Sequence, residues 1–240
     1  MGLQVIPILC RAGTMDNYSY LIIDHDTKIS AIIDPSEAKP IIDTCNQYQI
    51  TPNYIFNTHH HFDHTDANLA IKQHFNCKVV GAEADKLRIP GIDITVAYNS
   101  KFQLGNSTAQ IIEAQGHTHG HILWYFPQDK ILFTGDTLFN LCIGGLFEGT
   151  PEEMYNTLQT IKKLPEDTLF YPGHEYTLHG LNDAMYINQH KPEMKEYLHL
   201  IQQRVNNHQS VAPISLKLEK ECNPYLSASN LVEFSHLVGC

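Results

Sequence analysis

Directly after the apolar run Tyr54-Ile55-Phe56 the chain reads NTHHHFDHTD, placing four histidines and two aspartates between His59 and Asp66. The same junction returns three times. TAQIIEA (108–114) runs into GHTHGH (116–121), KILFT (130–134) into Gly135-Asp136, and DTLFY (167–171) into Pro172-Gly173-His174. Each time a β-type run ends beside a metal-binding side chain, and in the last three a glycine lets the backbone turn tightly. A fold carrying these junctions has to bring several strand ends to one edge of a sheet, a common place for a site built from loops. One such junction is weak evidence, because a histidine after a glycine is usually a turn residue. The ordered set is strong.

Within the first loop, side chains at i, i+2 and i+4 of an extended segment point the same way. His59, His61 and Asp63 then project together, His64 turns in as the chain enters a helix, and His60 and Phe62 face away. Neutral imidazoles and carboxylates are ligands of borderline metals such as zinc, iron and manganese. A solvated polar loop with casual histidines is the bland alternative, and four ligand-type side chains at this spacing disfavour it.

The rest of the first half alternates short β-type runs with turns. YSYLIID (18–24) and ISAIID (29–34), joined by HDTK, predict an antiparallel hairpin closed at Pro35. A helix is expected from about Lys39 to Tyr48, and another over LAIKQHF (69–75). Strands are expected at CKVVG (77–81), KFQL (101–104) and HILWYF (121–126). Thr150-Pro151-Glu152-Glu153 is a capping box with proline at the first helical position, opening a helix to about Lys163. DTLFYPG is expected to be the last strand. Beyond it, Met194, Tyr197, Leu198, Ile201 and Val205 form one apolar helical stripe. A boundary near 175 separates a domain over 1–175 from a helical extension over 176–240.

Bulk properties narrow the partners. With 240 residues and 42% hydrophobic content the chain can bury a full core. A net charge of −10 disfavours nucleic acid and anionic membrane surfaces, and requires a local positive centre for any anionic substrate. The six cysteines (10, 45, 77, 142, 222 and 240) form no CxxC pair, so a reducing, cytoplasmic home is expected. The start, MGLQVIPILCRAG, lacks the basic region of a signal peptide, and Ile6 stands where myristoylation asks for Ser or Thr. No run reaches the roughly 18 apolar residues of a membrane span. A soluble protein, monomeric or weakly homo-oligomeric, is expected.

Together, THHHFDH, GHTHGH, FTGDTLF and PGHEY resemble the metallo-β-lactamase superfamily. LFEGTPEEM (146–154) with GHEYT (173–177) is more specific and is similar to glyoxalase II, the hydroxyacylglutathione hydrolases. The likeness runs from the DNYSYLI hairpin through NPYL (223–226). It implies an α+β fold, a four-layered αββα sandwich with a small helical C-terminal domain. It also implies two divalent ions, zinc expected, with iron or manganese as the alternatives. His59, His61 and His117 would hold one ion, Asp63, His64 and His174 the other, and Asp136 would bridge them. Asp63 and Asp136 are the implied catalytic residues, while His119 and His121 are structural. The implied reaction converts S-D-lactoylglutathione, or a related 2-hydroxyacyl thioester, to D-lactate and free thiol by attack of a metal-bridging hydroxide.

Phe147 and Tyr176 match the family's substrate-binding aromatics. The family also holds the glutathione glycine carboxylate with a basic residue two positions before that aromatic, and with a basic C-terminal segment. Here the first is Gly145, and SASNLVEFSHLVGC (227–240) contains no Lys or Arg. The tail is instead expected to pack through Leu231, Phe234, Leu237 and Val238. Two alternatives stay in view. One is a persulfide dioxygenase with one iron on the same fold, against which EGTPEEM and HEY weigh. The other is a catalytically weak metal-binding homologue.

Overall fold

The computed structural model describes residues 2–207 and 209–239; Cys240 therefore lies outside the described residues. The chain divides into two compact units, residues 1–113 with 120–129 and residues 114–119 with 130–240.

The first unit begins with β1 (Leu3–Cys10), β2 (Asn17–Asp24) and β3 (Ser30–Ile33), followed by α1 (Ala38–Tyr48). Then come β4 (Tyr54–Phe56), the single-turn α2 (Phe62–Thr65), α3 (Asn68–Phe75), β5 (Lys78–Ala82) and β6 (Ile92–Val96). The strands form one sheet in sequence order, antiparallel from β1 to β3 and parallel from β3 to β6. β7 (Lys101–Leu104), β8 (Ser107–Glu113) and β9 (Ile122–Phe126) form an antiparallel meander.

The expected hairpin forms, with Tyr20 opposite Ile33. β1 was not anticipated. Pro7 masks it as a strand, yet prolines are tolerated on sheet edges, and Ile6, Ile8 and Cys10 alternate inward. Apolar residues on both faces of β4 explain why YIF has no alternation: Ile55 joins the core under α1 and α3, with Ile41, Cys45, Ile71 and Val79. Phe56 faces the meander, where its ring stacks on Trp124 at 4.2 Å and Phe102 meets it edge-on at 5.2 Å. Helices, sheet and meander thus make three layers, and the end of β4 is fixed from both sides.

The second unit contains β10 (Ile131–Gly135), the tiny hairpin β11 (Leu138–Phe139) and β12 (Cys142–Ile143), α4 (Pro151–Lys162) and β13 (Leu169–Pro172). Next are α5 (Thr177–Asn188), α6 (Pro192–Asn206), β14 (Ile214–Ser215), α7 (Leu216–Cys222), α8 (Pro224–Ser227) and α9 (Leu231–Leu237). β13 runs parallel to β10 and antiparallel to β14, so DTLFY is not the last strand. β14 is too short to leave a periodicity.

The Thr150 capping box is formed on both sides, Thr150 accepting from Glu153 and Glu153 from the Thr150 N–H. On the stripe of α6, Met194, Tyr197 and Ile201 are buried while Val205 is 52% exposed. In the tail, Phe234 is fully buried and packs on Tyr155, whereas Leu231, Leu237 and Val238 are half-buried.

Glu219 is the one fully buried glutamate among the described residues. Burial pushes its carboxyl up to about 7, opposed by hydrogen bonds from Tyr197, Asn223 and the Leu141 N–H. A folded pKa above the ordinary 4.5 means that the folded state binds the proton more tightly. The resulting stability is fully present below pH 4.5 and is lost as pH rises through 7. Glu219→Gln is therefore expected to flatten the fall in melting temperature between those pH values, measured by thermal scans at matched salt.

Candidate metal centre

In the first unit the loop after β4 is not an extended strand. The chain bends at Thr58 and His59, and α2 begins at Phe62, so Asp63 is placed by helix entry rather than by alternation. The expected facing still results. The rings of His59 and His61 lie 4.6 Å apart, and those of His59 and His64 4.3 Å apart. His60 turns the other way, its Nδ1 3.2 Å from the buried carboxylate of Asp85, which Arg88 also holds. Phe62 is exposed, with the Arg11 guanidinium over its ring. His60→Ala is accordingly expected to leave metal content nearly unchanged, because Arg88 still neutralises Asp85. His61→Ala should lower it, and elemental analysis of both variants decides.

Three groups that sequence reasoning missed set the angle of these side chains. Asp34, at the end of β3 with φ 45°, accepts from the Thr58 N–H and hydroxyl, each at 2.7 Å. Its Oδ2 lies 3.1 Å from His64 Nδ1. Thr58 Oγ1 in turn is 3.0 Å from His59 Nδ1. Asn17 donates to Asp63 Oδ2 at 2.9 Å and to the Asp63 carbonyl. With Nδ1 of His64 engaged by Asp34, its Nε2 lies 3.4 Å from Asp63 Oδ2. Ligand atoms of Asp34, His59 and His64 can also be drawn within 4.8 Å of one another. Because Asp34 engages Nδ1, we assign it to orienting His64 rather than to binding an ion.

The second unit repeats the plan. His117 Nδ1 is 2.7 Å from the Gly145 carbonyl, and its Nε2 is 3.4 Å from Asp136 Oδ2. His174 Nε2 is 3.3 Å from the same oxygen. All three are buried, His117 at 2%, Asp136 at 6% and His174 at 3% exposure. Gly144 permits the approach: a Cβ there would lie 1.8 Å from the Asp136 carbonyl oxygen.

The donor chemistry fits divalent ions. Imidazole Nε2 atoms gather on carboxylate oxygens at spacings suited to ligands of a shared cation, while outer partners hold Nδ1 of His59, His64 and His117. That is the arrangement of a metal ligand, in which the second ring nitrogen fixes tautomer and angle.

Phe147 and Tyr176 stand against these ligands. The Phe147 ring, 73% exposed, meets His117 edge-on at 5.2 Å, and Tyr176 stacks on His174 at 4.6 Å. His121 is buried and stacks on His59 at 4.8 Å, and the backbone N–H of His119 donates to Glu148. Cys142 is the nearby thiol, but burial, and then Glu219, Glu175 and Asp183, push it up to about 12. It stays protonated and is unsuited to nucleophilic attack.

Comparison with known proteins adds an independent line. Residues 13–174 match the metallo-beta-lactamase superfamily, and residues 175–236 match the hydroxyacylglutathione hydrolase C-terminus. The chain is 42% identical to a hydroxyacylglutathione hydrolase of Pelagibacter ubique, over 99% of this chain and 97% of that one. It is 38% identical to a hydroxyacylglutathione hydrolase of Rhizobium etli, over 98% and 91%. Among solved structures it resembles ETHE1 from Myxococcus xanthus, with TM-score 0.72 and 24% identity over 97% of this chain and 89% of that one. BLEG-1 B3 metallo-beta-lactamase gives TM-score 0.71 and 22% identity over 94% and 100%. These structural likenesses speak for the fold alone.

Proposed function

We propose, on the premise that this chain belongs to the metallo-β-lactamase superfamily and to its hydroxyacylglutathione hydrolases, that it hydrolyses 2-hydroxyacyl thioesters such as S-D-lactoylglutathione. The observation that carries the reading is that each unit brings histidine Nε2 onto a buried carboxylate, His64 onto Asp63 in one and His117 and His174 onto Asp136 in the other. His59, His61 and His117 are assigned to one ion, Asp63, His64 and His174 to a second, and Asp136 to both. Held by these residues, divalent ions would lower the pKa of water at the site and polarise a carbonyl, the chemistry a thioester hydrolase needs.

The chain's own groups do the rest. Asn17 and Asp34 keep Asp63 and His64 from rotating, so the donors are ordered before substrate arrives. Phe147 and Tyr176 offer aromatic faces beside His117 and His174, which suits them to hold the thiol portion. A thiolate whose conjugate acid has a pKa of about 8.5 can depart as the anion, so the reaction needs no strong general acid. An amide nitrogen usually requires one. Water and thioester give one acid and one thiol.

The finer assignments are part of the same proposal. Zinc is the expected ion, with iron or manganese as alternatives, and glutathione is the expected thiol. The catalytic portion is assigned to residues 1–175 and a helical extension to 176–240. A cytoplasmic enzyme acting on a small molecule rather than nucleic acid is supported by the net charge of −10 and by unbridged Cys10, Cys45, Cys77, Cys142 and Cys222, and a monomer or weak homo-oligomer is the assembly we propose. Among the described residues no helix is long and apolar enough to cross a membrane.

The test is a panel of thioesters assayed with metal-loaded protein for thiol release, with dissolved oxygen followed in parallel. Thiol release from lactoyl thioesters without oxygen uptake is expected. Oxygen consumption with glutathione persulfide, and no thiol release, would instead favour a dioxygenase.

A further inference from the structure

The NPYL stretch has so far no part in the chemistry, and the buried glutamate near it has none either. Both lead to the β11–β12 hairpin. Glu219 accepts the Leu141 N–H at 3.2 Å on each carboxylate oxygen, and also accepts from the Tyr197 hydroxyl. Asn223 donates to Glu219 at 2.9 Å, to the Cys142 carbonyl at 3.0 Å and to the Phe139 carbonyl at 3.4 Å. Glu219, Tyr197 and Asn223 are all fully buried. Leu141, at the hairpin turn, has φ 63°, a conformation that a leucine adopts only when its surroundings impose it.

The hairpin and the two glycines directly after it lie against each assigned ligand of their own unit. Phe139 meets the His174 ring edge-on at 5.6 Å. Directly after β12, Gly144 lies against the Asp136 backbone, and the Gly145 carbonyl holds His117 Nδ1 at 2.7 Å. A shift of this hairpin moves the partners of His117, Asp136 and His174 together.

We infer that Glu219 and Asn223, with Tyr197, are positioning residues of the metal centre, holding the β11–β12 hairpin where it orients those three ligands. The inference rests on the metal assignment made above. It concerns ligand geometry, and neither residue touches the reacting atoms.

The experiment uses the full chain loaded with cobalt(II), whose visible d–d absorption reports ligand geometry. Glu219→Ala removes the acceptors. Asn223→Ser keeps a helix-capping oxygen for Tyr225 and Leu226 but loses the reach to the hairpin. Glu219→Gln serves as rescue, since its carbonyl can still accept from Leu141 and Asn223 while its amide donates to Tyr197. Asn188→Ala is the destabilised control: Asn188 ties α5 to Cys222 and Ser227 without bonding the hairpin.

Glu219→Ala and Asn223→Ser are expected to weaken cobalt affinity about tenfold, within the range for groups that orient ligands, and to shift the d–d bands. Glu219→Gln and Asn188→Ala should keep the wild-type spectrum even where melting temperature falls. Where Glu219→Ala fails to fold, Asn223→Ser decides. Folded Asn223→Ser with wild-type affinity and spectrum overturns the inference. Wild-type protein that takes up no cobalt overturns the metal assignment, and the inference with it.

Discussion

Asp136→Ala is expected to empty both metal positions together and to lower kcat at least about a thousandfold, roughly 4 kcal/mol of barrier. One oxygen, Asp136 Oδ2, lies 3.4 Å from His117 Nε2 and 3.3 Å from His174 Nε2, so the two histidines assigned to different ions share a carboxylate. Removing it takes a negative charge and a ligand from both positions at once. The fold should survive, because Asp136 follows the last residue of β10, whose pairing with β13 uses backbone groups alone. Elemental analysis beside a thiol-release assay checks both halves of the expectation. A variant that keeps two ions, or more than a few per cent of wild-type kcat, would contradict the shared-ligand assignment.

Gly145→Arg is expected to act on KM instead. The family's basic residue is missing at this position, and the tail from Ser227 onward has no Lys or Arg. A charge-assisted hydrogen bond to a carboxylate is worth about 1.5–3 kcal/mol, so restoring one should lower KM about tenfold or more. If that contact is made equally in ground and transition states, kcat changes little. The structure accommodates the change. A Cβ at Gly145 would lie 3.3 Å from Phe147 Cε2, and that ring is exposed enough to give way. The bond from His117 goes to the Gly145 carbonyl, which any side chain leaves in place. The gain should appear with glutathione thioesters and vanish with shorter ones that lack the glycine carboxylate. A wild-type KM already in the low micromolar range and unmoved by Gly145→Arg would mean that other groups bind the carboxylate.

These expectations could be framed from the sequence because metal ligands are chemically narrow. Type and place after β-type runs single out the junctions that carry His59, His61, Asp63, His64, His117, Asp136 and His174, and the family resemblance is what assigns these seven as the ligands. The groups that aim them do not stand out this way. Asn17 is 46 residues from Asp63, and Asp34 is 30 from His64. An aspartate or asparagine ending an apolar run looks the same whether it caps a turn or braces a ligand. Asp34 had one signal, its place after ISAII in the pattern shared by the ligand junctions. The Gly145 carbonyl had none, because every residue has a carbonyl.

The fold shows the same division. YIF, KFQL and the Thr150 capping box were legible because local chemistry decides them. β1 was hidden by Pro7, which only an edge strand tolerates. The β11–β12 hairpin pairs only Leu138 with Ile143 and Phe139 with Cys142, too few residues for a periodicity. Its form depends on Glu219 and Asn223, about 80 residues away, as the separation of 78 from Leu141 to Glu219 illustrates. Long-range burial of a carboxylate leaves no local pattern.

Titrating metal-free protein with zinc, while following thiol release from S-D-lactoylglutathione, tests the central proposal most directly. Activity should rise with added metal and level off at two equivalents per chain, with one acid formed for each thiol released. No thiol release at any metal loading, or a plateau at one equivalent, would contradict a two-metal thioester hydrolase.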